Sequence, residues 1–162
     1  MTFRPDPQQR AFRDSLGLFA TGITVVTARA PDGTPVGLTV NSFNSVSLDP
    51  PLVVWSLSAH QANLPVFAGC EYYAINILAE DQQALSQRFA SRDVDKFAGL
   101  NFRDGLGGAP LLEGCSAWFE CRNTTRHDGG DHMVFLSEVE RHDADPKPPL
   151  IYFAGQYRQL AP

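Results

Sequence analysis

Two β-branched runs joined by a four-residue turn constrain this chain more than any other feature. ITVVTARA (23–30) is followed by PDGT (31–34) and then by PVGLTV, which predicts an antiparallel pair closed by a hairpin. More short runs of the same kind follow. Asp49-Pro50-Pro51 breaks the chain before LVVWSLS (52–58), because proline cannot donate to a sheet ladder. EYYAINIL (71–78), SAWFECRNT (116–124), DHMVFLSEVERHD (131–143) and PLIYFAGQYRQL (149–160) complete a set of six or seven strands, the HDGG turn lying between the second and third of these. Helical spacing is confined to three places. Phe12, Leu16 and Phe19 make one apolar stripe over 8–20, predicted to be a docking helix. Asn63 opens a short helix through Ala68. Residues 80–91 place Leu85 and Phe89 four apart behind an acidic first turn. A mainly β fold with peripheral helices follows, with a barrel of Greek-key connections hiding the strand edges.

At 162 residues the chain fits one domain, 1–162. The net charge of −5, with Lys96 and Lys147 as the only lysines, gives no basic surface for nucleic acid. No apolar run approaches a membrane span and the N-terminus has no signal-like h-region, so a cytoplasmic protein is expected. Cys70, Cys115 and Cys121 lack CxxC spacing and read as buried thiols rather than a disulfide frame or zinc site.

GLGGAPLLEG (105–114) resembles a dinucleotide loop only in glycine content. Pro110 occupies the third glycine position, no strand is predicted before it and no helix after it, so a mobile loop is expected. RHDGGDH (126–132) gathers His127, Asp128, Asp131 and His132 at a hairpin tip without metal-site spacing, so no metal is expected. His132, just inside the next strand, is placed to face a cleft as a hydrogen-bond donor. No serine sits on a GxSxG elbow, and no P-loop is present.

The stretch TVNSFNSVS (39–47) fits no half-buried strand, because hydroxyls and amides fall on both parities. Two readings stand. Its side chains satisfy local backbone in a bulged strand, or they line a groove for a phosphorylated planar ligand.

Taken in order, GLTVNSFNSVSLDPPLVVWSLS, YAINIL, DQQALSQRFA, GGDHMVFLSEVE and PLIYFAGQYRQL resemble the successive motifs of the flavin reductase-like family. The likeness is closest to the short-chain reductase components of two-component flavin-dependent monooxygenases, and it runs from about Phe12 to Leu160. It implies an FMN-binding split β-barrel, a homodimer, FMN or FAD as cofactor, and NADH or NADPH as co-substrate. The implied acceptor of reduced flavin is a monooxygenase component. Electron carriers and pyridoxamine-phosphate-oxidase-like proteins are the alternatives on such a fold. Carried onto this sequence, the resemblance implies that Thr39, Val40, Asn41 and Ser42 line the flavin and that Ser56 and Leu57 meet the ring edge. Asn63 stands where the family often has threonine. Ser86, Arg88 and Phe89 are implied phosphate-side contacts, and Tyr157 an aromatic close to the ring. Asp131 and His132 match a GDH element on the nicotinamide side, which gives His132 the implied catalytic place. Ser137 departs from a usual glycine in that strand.

Overall fold

A computed structural model describes residues 6–161. Its centre is a seven-stranded antiparallel ladder in the order β3-β2-β6-β9-β10-β5-β4. The strands are β2 (Thr24–Arg29), β3 (Pro35–Val40), β4 (Asn44–Leu48), β5 (Pro51–Ser58), β6 (Tyr72–Ile77), β9 (Ala117–Gly129) and β10 (His132–Ala144). The predicted hairpin is present: Val26 pairs with Leu38, and Arg29 with Pro35. Three shorter pieces flank it. β1 (Thr21–Gly22), β11 (Ile151–Phe153) and β12 (Gln156–Arg158) form one small sheet, and β7 (Phe102–Asp104) pairs with β8 (Pro110–Leu112). The predicted last strand, 149–160, is therefore a tight hairpin through Ala154 and Gly155, both at positive φ.

The ladder curves around a core built on aromatic contacts. Trp55 on β5 stacks on its cross-strand partner Phe135 at 4.4 Å between centroids, and meets Phe67 and Tyr73 edge-on. A second cluster, with Val25, Leu78, Phe89 and Leu150, lies between the sheet and α3 (Gln83–Ala90). Gly37 makes this second contact possible. A Cβ there would stand 2.7 Å from the Phe89 ring, so glycine lets α3 lie directly on β3.

The expected mainly β fold with peripheral helices is the one found, and four details within it are corrected. The ladder does not close by hydrogen bonding: β3 and β4 remain its ends, and β4 is largely exposed, with Leu48 at 95%. The N-terminal helix, α1 (Pro7–Leu16), stops at Gly17 and docks on nothing among the described residues. Phe12, Leu16 and Phe19 stay exposed.

The Gly-rich segment is packed rather than mobile, and a short strand, β7, precedes it. Gly105 and Gly107 sit where a Cβ would press on Glu120 and Tyr72, and Gly107 and Gly108 also hold the left-handed backbone of a tight turn, so the glycines serve a fixed conformation rather than mobility. Ala109 to Leu112 are buried as a result. Finally, the parity pattern of residues 39–47 is cut in two. Residues 41–43 leave the sheet, and a bulge between Ser45 and Ser47 shifts the register again.

Cys115 and Cys121 are fully buried, and burial pushes both thiols from the ordinary 9.0 up to about 12. Because the folded value is the higher one, the stability that they contribute is fully present below about pH 9. It is lost as the pH rises from there toward 12. Two outcomes are expected: no more than one thiol reacts with an aromatic disulfide reagent at pH 8 before denaturant is added, and the melting temperature falls between pH 9 and 11. Immediate reaction of all three would contradict this packing.

Candidate functional site: a polar groove at the end of the hairpin

Where β3 ends, the chain crosses toward β5 and opens a groove. Ser42 anchors the crossing. Its hydroxyl accepts from the Ser56 N–H at 3.0 Å and donates to the Ser56 carbonyl at 3.1 Å. One side chain thus replaces a missing rung of ladder and fixes the distance between the two groove walls. Thr39 is fixed from below: its hydroxyl donates to the Ser86 carbonyl at 2.6 Å, and the Ser86 hydroxyl is 2.8 Å from that of Tyr157. Asn44 accepts from the Ser45 N–H. Asn41, by contrast, is exposed and forms no hydrogen bond with protein among the described residues. Much of the polar stretch therefore serves its own backbone, and that bonding shapes the groove in which Asn41 stands free.

The inner cavity, of about 210 Å³, brings together Thr39, Val40, Asn41, Ser42, Ser56, Leu57 and His132. Seven residues assigned from the sequence thus meet at one place, from β3, the crossing, β5 and the first residue of β10. Asp131, on the hairpin tip, holds the ring: its carboxylate lies 2.6 Å from His132 Nδ1, and that hydrogen bond lowers the Asp131 pKa. The carboxylate therefore fixes which ring nitrogen faces the groove.

An outer cavity of about 460 Å³ continues from the inner one through Leu38, Thr39 and Gln61. Asn63 and Phe89 line it, with His60, Arg92, Asp93 and Lys96. Asn63 stands at the start of α2 (Leu64–Gly69) without a side-chain capping bond, which leaves its amide available.

The remaining assigned residues line neither cavity. Ser86 is fully buried, Tyr157 lies behind it, and Arg88 Nη2 donates to the main-chain carbonyls of Asp95 and Ala98. Sequence reasoning missed Gln61 and Ser58 in the inner cavity and His60, Arg92 and Lys96 in the outer one. For Lys96 a signal existed, since a chain with two lysines that spends one beside the α3 helix is informative.

Ser42→Ala is expected to leave the Ser56 N–H without its partner and to cost about 1–3 kcal/mol. Chemical denaturation measures this. An unchanged midpoint would mean that water replaces the hydroxyl.

The chain has relatives among known proteins. Residues 16–161 match the Flavin reductase like domain. The chain is 45% identical over 152 residues to the FMN reductase (NADH) SmoA of Agrobacterium fabrum, covering 94% of this chain and 86% of that one. It is 43% identical over 148 residues to the reductase component of the flavin-dependent trigonelline monooxygenase of Acinetobacter baylyi. That match covers 91% of this chain but only 48% of the relative, so the chain spans about half of that protein's length. Among solved structures it is similar to the Streptomyces globisporus NADH:FAD oxidoreductase SgcE6 in complex with NAD and FAD fragments. The TM-score is 0.90 at 34% identity, with 99% of this chain and 98% of that one covered.

Proposed function

The chain belongs to the flavin reductase-like domain family, and from that premise we propose that it reduces a flavin at the expense of a reduced nicotinamide dinucleotide. The observation that carries the reading is the meeting of the TVNS stretch, Ser56, Leu57 and His132 around one polar groove that continues into a cavity lined by cations. This donor set fits the group. Neutral donors and exposed main chain at the inner end suit a hydrogen-bonding ring system, and lysine and arginine at the outer end suit its phosphorylated tail.

When bound, flavin supplies a hydride acceptor at N5 and the nicotinamide a hydride donor at C4. The protein's own task is then to hold two rings together, which needs no covalent nucleophile. Thr39 to Ser42 and Ser56 to Leu57 would hold the flavin, with Asn41 offering an unsatisfied amide. His132, oriented by Asp131, would present an imidazole nitrogen on the nicotinamide side. Ser86 and Tyr157 act behind the site by fixing Thr39.

SmoA is named for NADH and FMN, and SgcE6 for NADH and FAD, so both flavins are proposed substrates, with NADH the first dinucleotide to try. A monooxygenase component is the proposed consumer of the reduced flavin, by analogy with the trigonelline system. We further assign a homodimer, supported by the exposed stripe of Phe12, Leu16 and Phe19 and the exposed Leu48 on the edge strand, which sizing chromatography would check. Three free thiols accord with a cytoplasmic setting. No helix among the described residues is long and apolar enough to cross a membrane.

The test is steady-state oxidation of NADH by purified protein with FMN, with FAD and with neither. Oxidation is expected only when flavin is present. Flavin-independent turnover, or none with either flavin, would overturn the proposal.

A further inference from the structure

We propose that a cleft at the far end of β10 from His132 binds an organic cation, a guanidinium or primary ammonium carried on an apolar stem. The β7–β8 hairpin, the first residues of β9 and the last of β10 form it, and none of its residues lines the polar groove. His132 opens β10, while Asp143 and Ala144 close it, so roughly 35 Å of strand separates the two sites.

Trp118 is the wall of the cleft. Its indole N–H donates to the Leu112 carbonyl at 2.7 Å, which pins one edge to β8 and leaves the residue half-buried. Two hollows meet at this ring, one of about 600 Å³ toward Phe102 and Lys147 and one of about 520 Å³ toward Glu120 and Glu140. The wall already carries a cation. The Arg103 guanidinium lies over the indole, 5.8 Å from its centroid, where the ring face attracts positive charge. Arg103 is nevertheless held loosely: Asp143, its ion-pair partner, is 3.6 Å away, beyond hydrogen-bond reach, and the two side chains are 62% and 69% exposed. A pair of that kind adds little.

Glu120 supplies the opposite charge. It stands two residues after Trp118 on β9, so both side chains project from the same face of the strand. Only 9% of it is exposed. One carboxylate oxygen accepts from the Leu106 N–H at 2.7 Å, and Glu120 forms no ion pair among the described residues. A buried carboxylate with an oxygen left over is costly until a cation meets it. Of the other cleft carboxylates, Glu140 is taken by Arg122 and Asp145 by Lys147. Once these pairs and Arg103–Asp143 are set aside, Glu113 and Glu120 remain against a single cation, Arg141. No three metal-ligating side chains gather among the described residues, and an aromatic wall beside a carboxylate suits an organic cation.

A ligand guanidinium takes the place of Arg103 on the ring face, with its head toward Glu120 and Asp143 and its stem along Leu111, which lines both hollows. Arg103 then swings into solvent. The protein's own side chain is thus a competitor, and removing it should tighten binding. The chain has two tryptophans, Trp118 in the cleft and the buried Trp55, so their indole N–H signals in an NMR titration report the site and an internal control. Trp118→Leu assigns the two signals. The probes are propylguanidine, its neutral isostere propylurea, and acetyl-arginine methylamide, which is arginine as a protein chain bears it.

Propylguanidine should shift the Trp118 signal, leave that of Trp55 in place, and bind at least about tenfold more tightly than propylurea, the scale of a charge-assisted hydrogen bond. Glu120→Gln, which keeps an oxygen for Leu106, should weaken it about tenfold, and Arg103→Gln should tighten it about threefold. Arg103 is exposed, so its variant decides the matter even if Glu120→Gln does not fold. Tighter binding of acetyl-arginine methylamide than of propylguanidine assigns the cleft to a basic segment of a partner protein; equal or weaker binding assigns it to a free small cation. Equal binding of propylurea, no shift at Trp118, weaker binding to Arg103→Gln, or displacement of propylguanidine by FMN would each overturn the proposal.

Discussion

Trp55→Ala should lower the stability of the fold by about 3–5 kcal/mol, the largest effect expected of any single truncation here. Trp55 is 1% exposed and touches an aromatic ring on each side, Phe135 across the ladder and Phe67 and Tyr73 from above. Removing it deletes the centre of the cluster and leaves a cavity that three rigid rings cannot fill. For a domain of this size the melting temperature should fall by roughly 6–20 °C. The effect should reach the groove as well, because Ser56 and Leu57 follow directly on the same strand. Trp55→Phe is the informative control. The indole N–H has no partner, so phenylalanine removes an orphaned donor while keeping the stack, and should cost under about 1.5 kcal/mol. A loss as large as that of alanine would show that the indole holds a contact beyond stacking.

Asn76→Leu should cost about 3 kcal/mol by a different route, since it keeps the branched heavy-atom shape and strands polar groups. Asn76 is fully buried one residue before the end of β6. Its amide donates to the Val25 carbonyl at 2.9 Å and to the Thr27 hydroxyl at 3.1 Å, and its oxygen accepts from the Leu112 N–H at 2.9 Å. Each buried group left without a partner costs about 1–3 kcal/mol. The loss should be local before it is global: amide exchange at Leu112 and Leu111 should accelerate while that of β10 stays slow. Uniform acceleration through the sheet would mean that Asn76 holds the ladder rather than the Gly-rich segment.

That segment shows where a sequence misleads. Three glycines within four residues, 105–108, read as freedom of the backbone. Here Gly105 and Gly107 permit approach to Glu120 and Tyr72, and Gly107 and Gly108 hold a fixed left-handed turn, which only the fold can reveal. The strand positions were more legible. ITVVTARA, LVVWSLS and YYAINI are β-branched or aromatic runs bounded by turn residues, and all three are strands. The long β9–β10 hairpin was underestimated, because His127 and Asp128 at its end are exposed on both parities and leave no apolar alternation to count. α1 has the periodicity of a docking helix, but periodicity cannot say on what it docks.

The inner half of the groove was legible because one continuous stretch, Thr39 to Ser42, supplies its floor. The outer half was not, because Lys96 and Arg92 come from a loop more than fifty residues away, and their position depends on Arg88, Asp95 and a glycine at 37. Arg88 looked like the better phosphate ligand by its chemistry. It lines neither cavity, and its Nη2 donates instead to the carbonyls of Asp95 and Ala98, a fact of geometry that no spacing encodes.

The most direct test is a crystal structure of the protein soaked with FMN. The ring is expected against Thr39 to Ser42 and Ser56 to Leu57, with the phosphate toward Lys96. Density for the flavin in the larger cleft of about 600 Å³ beside Trp118 and Arg103, with the groove unchanged, would contradict the account.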